Sequence, residues 1–182
     1  MSARRWLAAA CAAAALTPAA AAPAGAAQTS TQQFFAARLL ADKGTSNEIR
    51  GLLRSGQAFV DRSVVFKDLT GDGRADAVVR VQSGGVEGAI ALYVLSTDSG
   101  RKNGTLAVRF RSQRLQRAQT RIRDGVLRYR TARPRAGDEP CCPTAEAESR
   151  LRWQEGKHRF VVVERRLLAP SEPWGDELAL QA

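Results

Sequence analysis

The chain has 182 residues and a formal net charge of +10, from 28 Lys and Arg against 18 Asp and Glu. With one histidine, three cysteines and one methionine it lacks the ligands for a multi-histidine metal centre or for several zinc fingers. Residues 1–27 read as an export leader. The remainder, with a charge of +8 once Arg4 and Arg5 are removed, has the length of one domain, which argues against a multi-domain enzyme.

The leader is read from three features in order. Arg4 and Arg5 supply a positive start, Trp6 to Leu16 an alanine-rich apolar stretch, and Ala24-Gly25-Ala26-Ala27 a small-residue cleavage site. The apolar stretch is about half the ~20 residues a membrane span needs, and Pro18 and Pro23 follow it, so no transmembrane span is expected. The Arg pair fits an ordinary secretory leader better than a twin-arginine one. Cys11 is preceded by only a short apolar run, too short for a lipid-attachment signal of the usual 7 to 15 residues, so a lipid anchor is not expected.

Beyond the leader, residues 28–168 read as one α+β extracytoplasmic domain: a short N-terminal helix followed by a predominantly antiparallel β-sheet meander. Phe34, Phe35, Leu39 and Leu40 recur at helical spacing between Thr31 and Leu40, and a second short helical turn covers Asn47 to Leu53. Strands follow at Ala58–Phe66, Asp76–Gln82, Ala89–Leu95, Leu106–Arg111, Ala118–Arg123, Val126–Thr131, Ser149–Gln154 and Arg159–Arg166. Gly71-Asp72-Gly73, Gly84-Gly85, Asn103-Gly104, Asp124-Gly125 and Glu155-Gly156 mark the turns between them. Residues 169–182 read as a tail that Trp174 could pin.

One hairpin can be specified residue by residue. If Asp124-Gly125 forms a two-residue type I′ turn, Arg123 pairs with Val126, Ile122 with Leu127, Arg121 with Arg128 and Thr120 with Tyr129. Thr120, Ile122, Leu127 and Tyr129 then share a buried face, and Arg121, Arg123, Arg128 and Arg130 share the other. Arg121 opposite Arg128 is a repulsive pair that an anion would relieve. Residues 101–135 hold twelve Lys and Arg and one acid, Asp124, so the positive charge is a patch. Its expected partner is an anionic cell-wall polymer or an envelope protein. Nucleic acid is not expected, because Phe110 and Tyr129, the aromatics of the patch, fall on inward positions and offer no stacking platform. A plain solvated face is the competing reading of the same run.

Asp68-Leu69-Thr70-Gly71-Asp72-Gly73-Arg74-Ala75-Asp76 places oxygen-bearing side chains at positions 1, 3, 5 and 9, glycine at 6 and the Arg74 backbone carbonyl at 7, an arrangement suited to Ca²⁺. The residue at position 12 is Val79 and a strand follows, so the loop is no EF-hand; it resembles the aspartate loops of integrin-type FG-GAP repeats in a single copy. A tight turn in which Asp68 and Asp72 accept backbone N–H bonds accounts for the same residues without metal. The loop therefore supports a second functional reading, a Ca²⁺-stabilised structural domain. Cys141 and Cys142, flanked by Pro140 and Pro143, meet an oxidising compartment. A vicinal disulfide is expected there, strained because adjacent Cα atoms lie about 3.8 Å apart.

The aspartate loop, Ala77-Val78-Val79-Arg80-Val81, Ser83-Gly84-Gly85, Tyr93-Val94-Leu95, and later Cys141-Cys142-Pro143 with Trp153 and Phe160, together resemble the LppP/LprE lipoproteins of actinobacteria over residues 57–165. The resemblance implies an extracytoplasmic cell-envelope protein of a family without an established catalytic activity, and so implies location more than mechanism. The sequence agrees in lacking a Gly-x-Ser-x-Gly elbow, a glycine-rich phosphate loop or a His-Glu-x-x-His helix. The expected function is binding of an anionic ligand or partner through the Arg-rich β face.

Overall fold

The computed structural model describes residues 28–97, 105–139 and 142–169. The expected leader with Cys11, the expected Asn103-Gly104 turn, Cys141 and the segment from Pro170 through Trp174 to Ala182 lie outside them. Two helices, α1 (Ser30–Ala41) and α2 (Asn47–Ser55), precede nine strands: β1 (Ala58–Val60), β2 (Val65–Lys67), β3 (Asp76–Ser83), β4 (Ala89–Thr97), β5 (Leu106–Gln113), β6 (Gln119–Arg123), β7 (Val126–Ala132), β8 (Glu146–Gln154) and β9 (Arg159–Leu168).

Both helices start where side chains satisfy free N–H groups. Thr29 and Gln32 form a reciprocal capping box on α1, and the Ser46 hydroxyl accepts from Ile49 N–H on α2. Gly56 closes α2 in the left-handed conformation at φ 75°. Gln32 is buried, and its side-chain amide donates to the Val60 carbonyl at 2.6 Å, tying α1 to β1.

The strands form two antiparallel sheets, one of order β1-β3-β4-β5 with β2 also on β3, the other of order β6-β7-β8-β9. The expected meander is present as two successive ones. The single strand expected over 58–66 is two short pieces. Asp61 still donates its N–H to the Arg80 carbonyl at 2.9 Å, while its carboxylate accepts from Ser63 N–H and pairs with Arg80 at 2.7 Å. Residues 62–64 then leave the ladder, and Val65 rejoins it opposite Val78. Helices and sheets stack in three layers. Ala77, Val79, Val81, Ala91, Tyr93 and Leu95 of the first sheet meet Phe35, Leu39 and Ile49 of the helices. Val78, Leu92 and Val94, on the opposite face, meet Leu127, Tyr129, Leu151 and Phe160 of the second sheet. Strand β4 is therefore covered on both faces, and the second sheet on one. That asymmetry leaves the outer face of the second sheet to solvent.

Candidate anion-binding face

The β6–β7 hairpin forms in the expected register: Arg123 opposite Val126, Ile122 opposite Leu127, Arg121 opposite Arg128 and Thr120 opposite Tyr129. Asp124 at φ 50° and Gly125 at φ 69° make the turn, both on the left-handed side as type I′ requires. Ile122, Leu127 and Tyr129 pack into the core between the sheets, and the arginines take the outer face.

Pairing with β8 and β9 extends this face beyond the hairpin. Arg128 lies opposite Arg150, and Arg150 opposite Glu164, so Arg121, Arg128 and Arg150 stand side by side on three adjacent strands, ended by one carboxylate. At about 4.8 Å per strand, the three residues occupy one row of like charge across the sheet. The neighbouring row is Gln119, Arg130, Glu148 and Arg166. Glu148 neutralises much of it, accepting from Arg130 Nε at 2.8 Å and pairing with Arg166 at 3.2 Å. Arg130 is only 4% exposed and Glu148 5%, so Arg130 holds the sheet together by a buried ion pair and is not presented to a ligand, unlike its expected role in the displayed set.

Between the rows lies a recess of about 410 Å³ lined by Arg123, Asp124, Arg128, Arg150, Glu164 and Arg166, with Glu148 at its base. Arg150 Nε is buried without a hydrogen-bond partner, and the Glu164 carboxylate stands 3.7 Å from its Nη1, beyond hydrogen-bond length. Six arginines, 121, 123, 128, 130, 150 and 166, face three acids, Asp124, Glu148 and Glu164. Arg150 and Arg166 are the residues that sequence reasoning missed. Their signal is the alternation within Ser149–Gln154 and Arg159–Arg166, but the alternation does not say which strands they join.

The other expected sites lie apart from this face. In the aspartate loop, Asp68 accepts from Gly71 N–H at 2.7 Å and Gly73 N–H at 2.9 Å, Asp72 from Arg74 N–H at 2.9 Å, and Asp76 from Leu69 N–H at 2.7 Å and Thr70 N–H at 3.0 Å. The Gly71 N–H, joined by that of Gly73, holds the Asp68 carboxyl below the usual carboxylate range. Among the described residues no group of three His, Cys, Asp or Glu side chains is arranged to hold a metal ion. Cys142 is an exposed free cysteine, so the expected vicinal disulfide is not formed in this structure; Cys141 lies outside the described residues. The loop is organised instead by Asp138, which accepts from Arg135 N–H at 2.7 Å, Thr144 N–H at 2.8 Å and the Thr144 hydroxyl at 2.7 Å. No helix among the described residues is long and apolar enough to cross a membrane.

Comparison with protein-family models, with curated proteins and with solved structures finds no match to this chain.

Proposed function

We propose that the protein is an exported, noncatalytic cell-envelope domain that binds an anionic polymer across the outer face of its second sheet. The observation that carries this reading is the row Arg121, Arg128 and Arg150 on adjacent strands. Like charges directly opposite one another destabilise a ladder, and a chain of phosphate or carboxylate groups laid along the row would relieve the repulsion while forming charge-assisted hydrogen bonds. Arginine suits this task because its planar fork matches either oxyanion and stays charged at any physiological pH. Behind this face the aromatic side chains are turned inward: Tyr129 and Phe160 are buried in the core between the sheets. This favours a saccharide- or glycerol-phosphate type of wall polymer over nucleic acid or membrane. The leader at residues 1–27 and the resemblance to the LppP/LprE lipoproteins support an extracytoplasmic location, where such polymers are found.

The test is salt-dependent retention on an immobilised phosphodiester wall polymer. With about three phosphates neutralised, the logarithm of affinity should fall against the logarithm of salt with a slope of about −2. The double variant R128S/R150S should lower the slope to about −1 and elute early, whereas R54S/R62S, exposed arginines away from this face, should elute with the parent. Elution of R128S/R150S with the parent would refute the proposal.

A further inference from the structure

The outer face of the second sheet sets six arginines against three acids, so it carries an excess of three positive charges. At its centre Arg128 stands between two other arginines, Arg121 and Arg150, and Arg150 holds a buried Nε without an acceptor. The chain supplies an anion of its own close by. Strand β9, the edge strand that carries Glu164 and Arg166, ends at Leu168, and the residues after it, 169–182, contain Glu172, Asp176 and Glu177 and no Lys or Arg. Three acids in that tail match the unneutralised charge of the face.

The distances allow the two to meet. Leu168 lies four positions along β9 from Glu164, which stands opposite Arg150, itself opposite Arg128. At about 3.3 Å per residue and about 4.8 Å per strand, Arg128 is roughly 16 Å from the point where the tail starts. The stretch from Leu168 to Asp176 spans up to about 26 Å, enough to turn back over the sheet and reach that row. Arg166 is nearer still, two positions from Leu168, within range of Glu172. Trp174, between these acids in sequence, adds an indole face of the kind a guanidinium plane stacks on. A short tether also raises the effective concentration of the tail at the face to about the millimolar range, so individually weak ion pairs suffice.

We propose that residues 170–182 fold back onto the arginine face, setting Glu172, Asp176 and Glu177 against Arg166, Arg150 and Arg128, and compete there with the external polymer. This rests on the reading of the face as an anion site and adds its regulation: the protein carries its own competitor, which a polymer of linked charges must displace.

The experiment is ¹⁹F NMR of the full chain labelled with 5-fluorotryptophan, the Trp174 resonance being assigned by its loss in Trp174→Phe. In the parent that resonance should move as salt is raised from about 0.02 to 0.5 M, because contacts between exposed charges are screened over that range. In R128S/R150S and in E172Q/D176N/E177Q it should stand at the high-salt position throughout, whereas R54S/R62S should behave as the parent. On the immobilised phosphodiester polymer at low salt, E172Q/D176N/E177Q should bind about five-fold more tightly than the parent, a gain that vanishes once salt releases the tail. The tail substitutions lie outside both cores, so the circular dichroism spectrum should stay unchanged. A Trp174 resonance that ignores salt in the parent, or moves equally in R128S/R150S, would overturn the tail contact and leave polymer binding standing. Polymer affinity of E172Q/D176N/E177Q equal to the parent's would overturn the competition. A resonance that moves as expected, with neither protein retained on the polymer, would support the tail contact and remove the polymer reading instead.

Discussion

Replacing Glu148 by Gln tests how the arginine face is held together. Glu148 sits on β8 directly opposite Arg130 of β7 and Arg166 of β9, and its two oxygens divide between them at 2.8 and 3.2 Å. The pair with Arg130 is buried on both sides, whereas the Arg166 side chain is 40% exposed. The exposed half of the network is worth at most about 1 kcal/mol. Breaking the buried half leaves a guanidinium out of water without its counter-charge, a cost of about 3–5 kcal/mol. With an m-value of about 2 kcal/mol/M for a domain of this size, the urea midpoint of Glu148→Gln should drop by roughly 2 M at constant m. Replacing both members by apolar residues, as in R130M/E148L, should recover most of the loss, because the desolvation cost of two charges disappears with them. Urea unfolding followed by circular dichroism measures both variants. A midpoint within about 0.5 M of the parent for Glu148→Gln would refute the assignment of Arg130 to a structural role and return it to the displayed set.

Two further outcomes follow from the core and from the ionised loops. Leu92, fully buried on the β4 face that meets the second sheet, should cost about 3 kcal/mol as Leu92→Ala, while exposed Leu167→Ala should stay within about 0.5 kcal/mol, both read from urea midpoints. Asp68 and Asp138 have carboxyls held below the usual range, first by the Gly71 N–H and the Arg135 N–H respectively. A depressed folded-state pKa gives stability that is fully present above the unfolded value near 4 and is lost as pH falls through the folded value, so unfolding midpoints should decline below about pH 4. That decline should be shallower in Asp138→Asn, and an identical pH profile would remove Asp138 as a contributor.

Some of the molecule is legible from neighbouring residues alone. The β6–β7 register follows from Asp124-Gly125 and the alternation around it, because a two-residue turn fixes which residues oppose and the period of two fixes which face each takes. Helix α1 likewise rests on a local signal, the apolar spacing over Phe34, Phe35, Leu39 and Leu40, while its cap by Thr29 and Gln32 is seen only in the structure. The reading went astray where a local pattern met a distant partner. The strand pattern over 58–66 is read as one run, but residues 62–64 leave the ladder beside Asp61, whose carboxylate pairs with Arg80, a residue it meets only across the sheet. In the loop that carries Cys142, Asp138 reaches Thr144, six residues on, a contact that the adjacent Cys141-Cys142 pair gives no hint of.

The sequence by itself determined that residues 101–135 carry a concentrated positive charge and that Arg121, Arg123 and Arg128 point away from the core, since charge and side-chain alternation are properties of the chain itself. Only the tertiary structure decided what that charge meets. Pairing of β7 with β8, and of β8 with β9, placed Arg150 beside Arg128, set Glu148 against Arg130, and left the recess between the two rows. It also brought Trp153 to the aspartate loop more than seventy residues earlier in the chain. The physical reason is that strand pairing depends on which faces can be buried together once the helices and the first sheet occupy one side. That choice is made by the packing of the whole core and is written in no single stretch of the chain.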